Sequence, residues 1–164
     1  MQNLTFITGG VRSGKSLLAE EFASASGKPV IYLATMQAWQ GDAEQIKRID
    51  QHKARRPENW TTIECPRHAE RVLAGLDSPS FVVFDCLSLY ITNILLAITD
   101  GGNKIEHDSP GTEDSILTEI QTFIDAIRSK EQIQVAAVSN EVGWGVVPES
   151  PPGRVLLPQR TRHI

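Results

Sequence analysis

Hydrophobic residues occur in short runs separated by polar segments, and several runs have the length and composition of buried strands. Four such runs cover residues 4–8, 30–35, 81–85 and 133–139, and a shorter one covers 61–64. Runs that are apolar throughout are typical of parallel strands covered on both faces by helices. The pattern therefore predicts an α/β protein with a mostly parallel sheet.

The segments between these runs have helical periodicity. In residues 15–23, Leu18 and Phe22 lie one turn apart, and hydrophobic residues recur at the amphipathic period from Thr112 onward. Residues 66–76 and 87–98 also read as helices, and residues 42–56 as a mostly exposed one, whereas residues 100–111 read as a mobile loop. Alternating strands and helices predict βαβ units, which bind ligands at the carboxyl ends of their strands.

The segment between the first predicted strand and helix matches the pattern G-x-x-x-x-G-K-[ST]. It consists of Gly9, Gly10, Val11, Arg12, Ser13, Gly14, Lys15 and Ser16. Glycines let the backbone approach closely, so that loop amides cradle phosphates while Lys15 reaches the β- and γ-phosphates. The Ser16 hydroxyl would join Mg²⁺. The alternative is a glycine-rich turn that matches by chance, but the strand–loop–helix context favours binding of a nucleoside triphosphate.

The third long apolar run ends in an acid, Asp85. In phosphate-loop proteins, an aspartate at the end of a strand next to the loop typically holds Mg²⁺. The alternative is a strand-ending aspartate that forms a turn or caps the next helix. We expect the metal role because the phosphate loop is already present.

Bulk composition narrows the class of protein. A chain of 164 residues with a net charge of −4 predicts one domain and argues against nucleic-acid binding. Cys65 and Cys86 have no C-x-x-C spacing, which favours free thiols in a reducing cytoplasm. The longest apolar run, at residues 87–98, is too short to span a bilayer. The expected protein is cytoplasmic and has no membrane span.

The predicted exposed helix carries cations around a histidine. Arg48, His52 and Arg55 or Arg56 share one helical face. These cations could complement the end of an exposed helix with a solvated histidine, or they could serve chemistry on phosphates. Spacing alone leaves both interpretations open.

Several motifs together resemble one family. They are residues 8–16, 32–35, 48–53 with Arg56–Pro57 and Trp60, 62–64, Asp85, Asn93 and 139–149. In this order they resemble the bifunctional adenosylcobinamide kinase/adenosylcobinamide-phosphate guanylyltransferase family over about the first 149 residues. The resemblance implies a P-loop NTPase-type fold and a trimeric assembly of identical chains.

The resemblance also implies the chemistry. Adenosylcobinamide would be phosphorylated with ATP or GTP and Mg²⁺, and its phosphate would then receive GMP from GTP through a guanylylated histidine, which is His52 here. Lys15 would be the second catalytic residue, and Ser16 and Asp85 would hold the metal. The implied nucleotide contacts beyond the loop are Thr35, Met36, Gln37, Lys53, Ala54, Arg55, Arg56, Glu64 and Asp85.

The chain departs from the family pattern after residue 149. The family continues with an arginine-bearing helix and a final strand, whereas residues 150–164 are proline-rich and basic. We therefore expect a catalytic domain at 1–149, a disordered tail at 150–164, and a fold without its last helix and strand. The alternative functions are a single-activity small-molecule kinase and an inactive nucleotide-binding remnant.

Overall fold

Five parallel strands form a single sheet with helices on both faces. The computed structural model describes residues 3–36, 49–50, 52–99, 101 and 111–141. In chain order the elements are β1 (Leu4–Gly9), α1 (Lys15–Ala25), β2 (Val30–Ala34), β3 (Thr61–Glu64), α2 (Ala69–Ala74), β4 (Ser80–Asp85), α3 (Leu87–Ile98), α4 (Thr112–Arg128) and β5 (Ile133–Asn140). The predicted α/β class and the predicted parallel sheet are confirmed.

The strand order is β1-β5-β4-β2-β3. Gly9 pairs with Asn140, and Ala34 pairs with both Asp85 and Glu64. Because all strands run the same way, these five residues lie along one edge of the sheet. This edge is where an open α/β sheet places its ligands.

One core lies between the sheet and helices α2, α3 and α4. Its centre is an aromatic cluster in which the Phe84 ring lies 5.2 Å from Tyr90 and 4.6 Å from Phe123, measured between centroids. All three side chains are buried. Such offset and edge-on contacts add to the stabilisation that burial alone provides.

The opposite face of the sheet is covered by α1. The helix is confirmed, but its buried apolar residues are Ala19 and Ala23, while Leu18 and Phe22 remain 41% and 43% exposed. The spacing of Leu18 and Phe22 predicted a helix without specifying which side faces the sheet. Alanines fit this position because their small side chains let the helix approach the strands closely.

Helix α2 begins later than predicted, at Ala69 instead of near Pro66. Asn93 Nδ2 donates to the carbonyl oxygens of Thr35 and Pro66 at 2.8 and 3.1 Å. His68 has a left-handed φ of 57°. The hydrogen bonds of Asn93 hold the segment after β3 in a non-helical conformation. The helix starts only after His68, because a residue with left-handed φ cannot be part of a right-handed helix.

Other predictions fall partly outside the described residues. Of the predicted helix at 42–56, residues 49–50 and 52–54 are helical and the preceding residues, including Arg48, lie outside the description. The predicted loop at 100–111 is described only at Gly101 and Gly111, and the predicted tail at 150–164 is outside it entirely.

The cysteines and the longest apolar run agree with expectation. Cys65 and Cys86 are both free and buried, and burial raises the pKa of Cys65 to about 11. The apolar run forms α3, which buries Tyr90, Ile94 and Leu95. Among the helices that the structure describes, none has the length and hydrophobicity needed to cross a membrane.

An ion pair joins the start of α2 to α4. Arg67 Nη2 lies 2.6 Å from Glu119 Oε2, and the His68 backbone N–H donates to Glu119 Oε1 at 3.2 Å. Burial by itself would raise the pKa of Glu119, but these donors and Tyr90 outweigh it and hold the pKa below its ordinary value. The carboxylate form of Glu119 therefore stabilises the fold.

Replacing this carboxylate should change how stability depends on pH. Because the folded-state pKa is lowered, the contribution of Glu119 is complete above its unfolded-state pKa and is lost as pH falls through the folded value. We expect Glu119→Gln to cost about 1–2 kcal/mol near neutral pH and progressively less below about pH 4. Urea unfolding over this range measures the difference. Glu113→Gln, at an exposed position of the same helix, is the control, and a pH-independent difference would contradict the expectation.

Candidate active site

The predicted phosphate-binding segment forms a loop between β1 and α1. Arg12 and Gly14 both have left-handed backbones, with φ of 61° and 86°. The Lys15 side chain is buried, and its Nζ donates to Gly10 O at 2.5 Å and to Ser13 Oγ at 3.4 Å. Left-handed residues turn successive N–H groups toward one concavity, which attracts anions together with the helix N-terminus. The loop is therefore shaped to bind phosphate.

Asp85 reaches this edge from a strand that does not neighbour the loop. Strand β5 lies between β1 and β4, so Asp85 is two strand spacings from Gly9, about 10 Å across the sheet. The expectation of a strand next to the loop was wrong in this respect, because the fourth long strand along the chain inserts between the first and the third. Asn140, at the end of β5, occupies the position between them.

The donor groups at this edge suit magnesium. Ser16, in the first turn of α1, offers a hydroxyl, and Asp85 offers a carboxylate whose Oδ2 accepts a hydrogen bond from the Tyr32 hydroxyl. Mg²⁺ prefers such oxygen ligands, and it is usually held by one or two protein groups with phosphates and water completing its shell. Accordingly, the described residues need not contain a cluster of three or more metal-binding side chains, and they contain none.

The segment carrying His52 is attached to strand β3 by polar contacts. Lys53 Nζ lies 3.0 Å from Glu64 Oε1, and Arg56 Nη1 donates to Thr62 Oγ1 at 3.2 Å. Arg55 Nη2 lies 3.2 Å from Nδ1 of His52. Because a guanidinium can only donate, this geometry requires an unprotonated Nδ1. The contact thus favours the neutral imidazole, the form that can act as a nucleophile.

Tyr32 connects this segment to Asp85. The guanidinium carbon of Arg56 lies 3.5 Å from the centroid of the Tyr32 ring, and the Tyr32 hydroxyl donates to Asp85 Oδ2. Tyr32 is 1% exposed. Burial, reinforced by the adjacent Asp85, raises the pKa of its hydroxyl strongly, so the group remains a donor. Two parts of the predicted site are therefore joined through a single side chain.

Glu20 adds a buried carboxyl group on the α1 side. Its Oε1 atom is buried without a hydrogen-bond partner in the described part of the chain. Burial raises the pKa of Glu20, and the positive charges of Arg55 and Arg56 oppose that shift. Glu20 therefore lies within the electrostatic field of the two arginines, one helical turn beyond Ser16.

Thr35 locks the ends of β2 and β4 together. Its N–H donates to Asp85 O at 3.0 Å, and its fully buried hydroxyl donates to Cys86 O at 2.9 Å and accepts from the Cys86 N–H at 2.7 Å. Met36 follows at the sheet edge and is half-buried, Ala54 is exposed, and Gln37 lies outside the described residues. The structure thus assigns Thr35 a bracing role at the site.

Three residues of this arrangement, Tyr32, Thr62 and Glu20, had no predicted site role, although Tyr32 and Thr62 belong to the motifs that carry the family resemblance. The available signals were weak: a tyrosine within an otherwise aliphatic strand, and an acid four residues after the phosphate-loop serine. Neither signal indicates that Arg56 stacks on Tyr32, since this contact depends on the pairing of two strands that are distant in the chain.

The fold and the loop define a P-loop nucleotide-binding protein of the α/β class, in which a histidine-bearing cationic segment adjoins the ligand edge. The family model described as "Cobinamide kinase / cobinamide phosphate guanyltransferase" matches residues 5–159. The chain belongs to this family, as the resemblance predicted. Membership confirms the predicted kinase and guanylyltransferase functions and the use of a nucleotide.

Curated relatives agree with the family match. The chain is 36% identical over 148 residues to the bifunctional adenosylcobalamin biosynthesis proteins CobU of Escherichia coli and of Salmonella typhimurium, covering 90% of this chain and 80% of each relative. It is 39% identical over 143 residues to the bifunctional adenosylcobalamin biosynthesis protein CobP of Pseudomonas aeruginosa, covering 87% of this chain and 73% of that relative.

The left-handed loop glycine gives a test of the loop conformation. Gly14→Ala would place a Cβ at φ 86°, which costs about 1–2 kcal/mol in a left-handed backbone. Gly10→Ala is the matched control, because a Cβ there meets no atom within 4 Å and its φ is not positive. We expect Gly14→Ala to be the less stable of the two in urea unfolding without nucleotide. Equal stabilities would contradict the loop geometry.

Proposed function

We propose that this chain phosphorylates adenosylcobinamide and then transfers GMP from GTP to the product, giving adenosylcobinamide-GDP. The supporting observation is that the phosphate loop and Asp85 share one sheet edge, and that Tyr32 joins Asp85 to the segment carrying His52. Family membership and the adenosylcobalamin biosynthesis proteins among its relatives support the same substrates.

In the first reaction, the loop amides and Lys15 bind the β- and γ-phosphates of ATP or GTP. The substrate hydroxyl oxygen attacks the γ-phosphorus, the bond to the bridging oxygen breaks with release of the nucleoside diphosphate, and the hydroxyl proton passes to water. Lys15 stabilises the charge that develops on the transferred group. Bound Mg²⁺, held by Ser16 and Asp85, would supply further neutralisation of the phosphate oxygens.

In the second reaction, a neutral His52 nitrogen attacks the α-phosphorus of GTP and pyrophosphate leaves. The acceptor's phosphate oxygen then attacks the same phosphorus, the phosphorus–nitrogen bond breaks, and His52 is regenerated. Arg55 can transfer its hydrogen bond from His52 Nδ1 to a phosphate oxygen, which would release that nitrogen's lone pair.

The remaining predicted contacts have compatible chemistry. Lys53, Arg55 and Arg56 provide positive charge for the triphosphate, and the exposed Glu64 carboxylate can accept hydrogen bonds from guanine in exchange for its contact with Lys53. Residues 1–149 form the proposed catalytic unit, and the resemblance supports its assembly as a homotrimer.

The assignment of the nucleophile can be tested by labelling. Incubation with GTP labelled at the α-phosphate should give an acid-labile protein adduct, and His52→Asn should reduce it by about 100-fold or more because the attacking nitrogen is lost. His68→Asn is the control, since asparagine tolerates the left-handed backbone at that position. An undiminished adduct in His52→Asn would rule out the proposed nucleophile.

The kinase reaction requires a separate variant. Lys15→Met should lower kcat/KM for phosphorylation of adenosylcobinamide by about 100-fold or more, because charge stabilisation at the γ-phosphate is lost. Lys28→Met, which removes an ammonium contacting Gln132 O, is the control. Phosphorylation by a wild-type protein that forms no histidine adduct would indicate a single-activity kinase, and the absence of both reactions would indicate a nucleotide-binding remnant.

A further inference from the structure

Tyr32 has no role in the chemistry described so far, yet it contacts both halves of the site. We propose that Tyr32 is a positioning residue that aligns the Asp85 carboxylate and the His52 segment on a common support, strand β2. The inference rests on the proposed function, in which Asp85 serves the metal and His52 attacks the α-phosphate.

The contact with Asp85 follows from strand register. Tyr32 pairs with Val83, two residues before Asp85, so the carboxylate lies about 7 Å further along the neighbouring strand. A tyrosine directed toward the carboxyl edge reaches this far and delivers its hydroxyl to Oδ2. Engaging one carboxylate oxygen restricts rotation of the group and orients Oδ1 for another ligand.

The contact with Arg56 depends on the next strand. Thr62 is the register partner of Tyr32, so one guanidinium can stack on the tyrosine ring and donate to the threonine hydroxyl. Arg56 follows His52 by four residues, and fixing its side chain restrains the segment that carries the nucleophile. A lysine would keep the charge but would lose the planar stacking and the fork of donors.

These two contacts have different chemistry and can be removed separately. Tyr32→Phe deletes the hydroxyl and keeps the ring beneath Arg56. Arg56→Lys keeps the hydroxyl contact and removes the stacked guanidinium. Tyr32→Leu removes both contacts, and Tyr90→Phe serves as a control because it deletes another buried tyrosine hydroxyl, which accepts the Ala69 N–H in the opposite core.

The first measurement is binding of GTP to the full chain by calorimetry, with and without Mg²⁺. We expect Tyr32→Phe to reduce the gain in GTP affinity that Mg²⁺ provides by about tenfold, because a hydrogen bond to a charged group is lost. The affinity without Mg²⁺ should change less than about twofold. Tyr90→Phe and Arg56→Lys should retain the Mg²⁺-dependent gain.

The second measurement is the rate of adduct formation at His52. Arg56→Lys should slow it by about tenfold, Tyr32→Phe by less than about threefold, and Tyr32→Leu should show both this slowing and the weakened Mg²⁺ dependence. An unchanged Mg²⁺ dependence in Tyr32→Phe would overturn the proposal. The proposal would also be overturned if Tyr32→Phe lowered the Mg²⁺-dependent gain and the rate of adduct formation equally, in proportion to a lower free energy of unfolding. That result would show that Tyr32 contributes only to packing.

The outcomes separate this proposal from the proposed function. If the wild-type chain forms no adduct at His52, guanylyl transfer as proposed fails, and the alignment of two reaction centres fails with it. Mg²⁺-dependent GTP binding still decides whether Tyr32 orients Asp85, because that measurement requires no turnover.

Discussion

The common direction of the five strands is the constraint on which the site depends. Because β1, β5 and β4 are parallel and in register, Gly9, Asn140 and Asp85 meet at one edge although they are far apart in sequence. The same alignment brings Ala34 and Glu64 to that edge from β2 and β3. The loop, the acid and the surface for the His52 segment are therefore consequences of a single sheet geometry.

The charged groups of the site already have protein partners that a nucleotide could replace. Lys15 donates to a loop carbonyl, Lys53 pairs with Glu64, and Arg55 contacts His52. Binding phosphate or base would exchange one hydrogen bond for another, and the cations would not need to be ordered from solvent. Such preorganisation lowers the entropic cost of binding and of reaching the transition state.

Local patterns predicted the strands, the phosphate loop and α4, because hydrophobic period and motif spacing are properties of short segments. They could not predict that β5 lies between β1 and β4, since strand order depends on long-range pairing. The late start of α2 is tertiary in origin as well, because it reflects the hydrogen bonds of Asn93 to Thr35 and Pro66. Similarly, the contact between Tyr32 and Arg56 requires β2 and β3 to lie side by side, and local sequence patterns do not specify that pairing.

The alanine face of α1 also has a consequence for nucleotide binding. The helix that begins at the phosphate loop rests on the sheet through Ala19 and Ala23, so two methyl groups set the height of the loop amides above the strand ends. A bulkier side chain at either position would tilt or lift the helix relative to the sheet and displace the loop amides with it. Substitutions at these two positions would therefore alter nucleotide affinity, although neither side chain belongs to the phosphate loop.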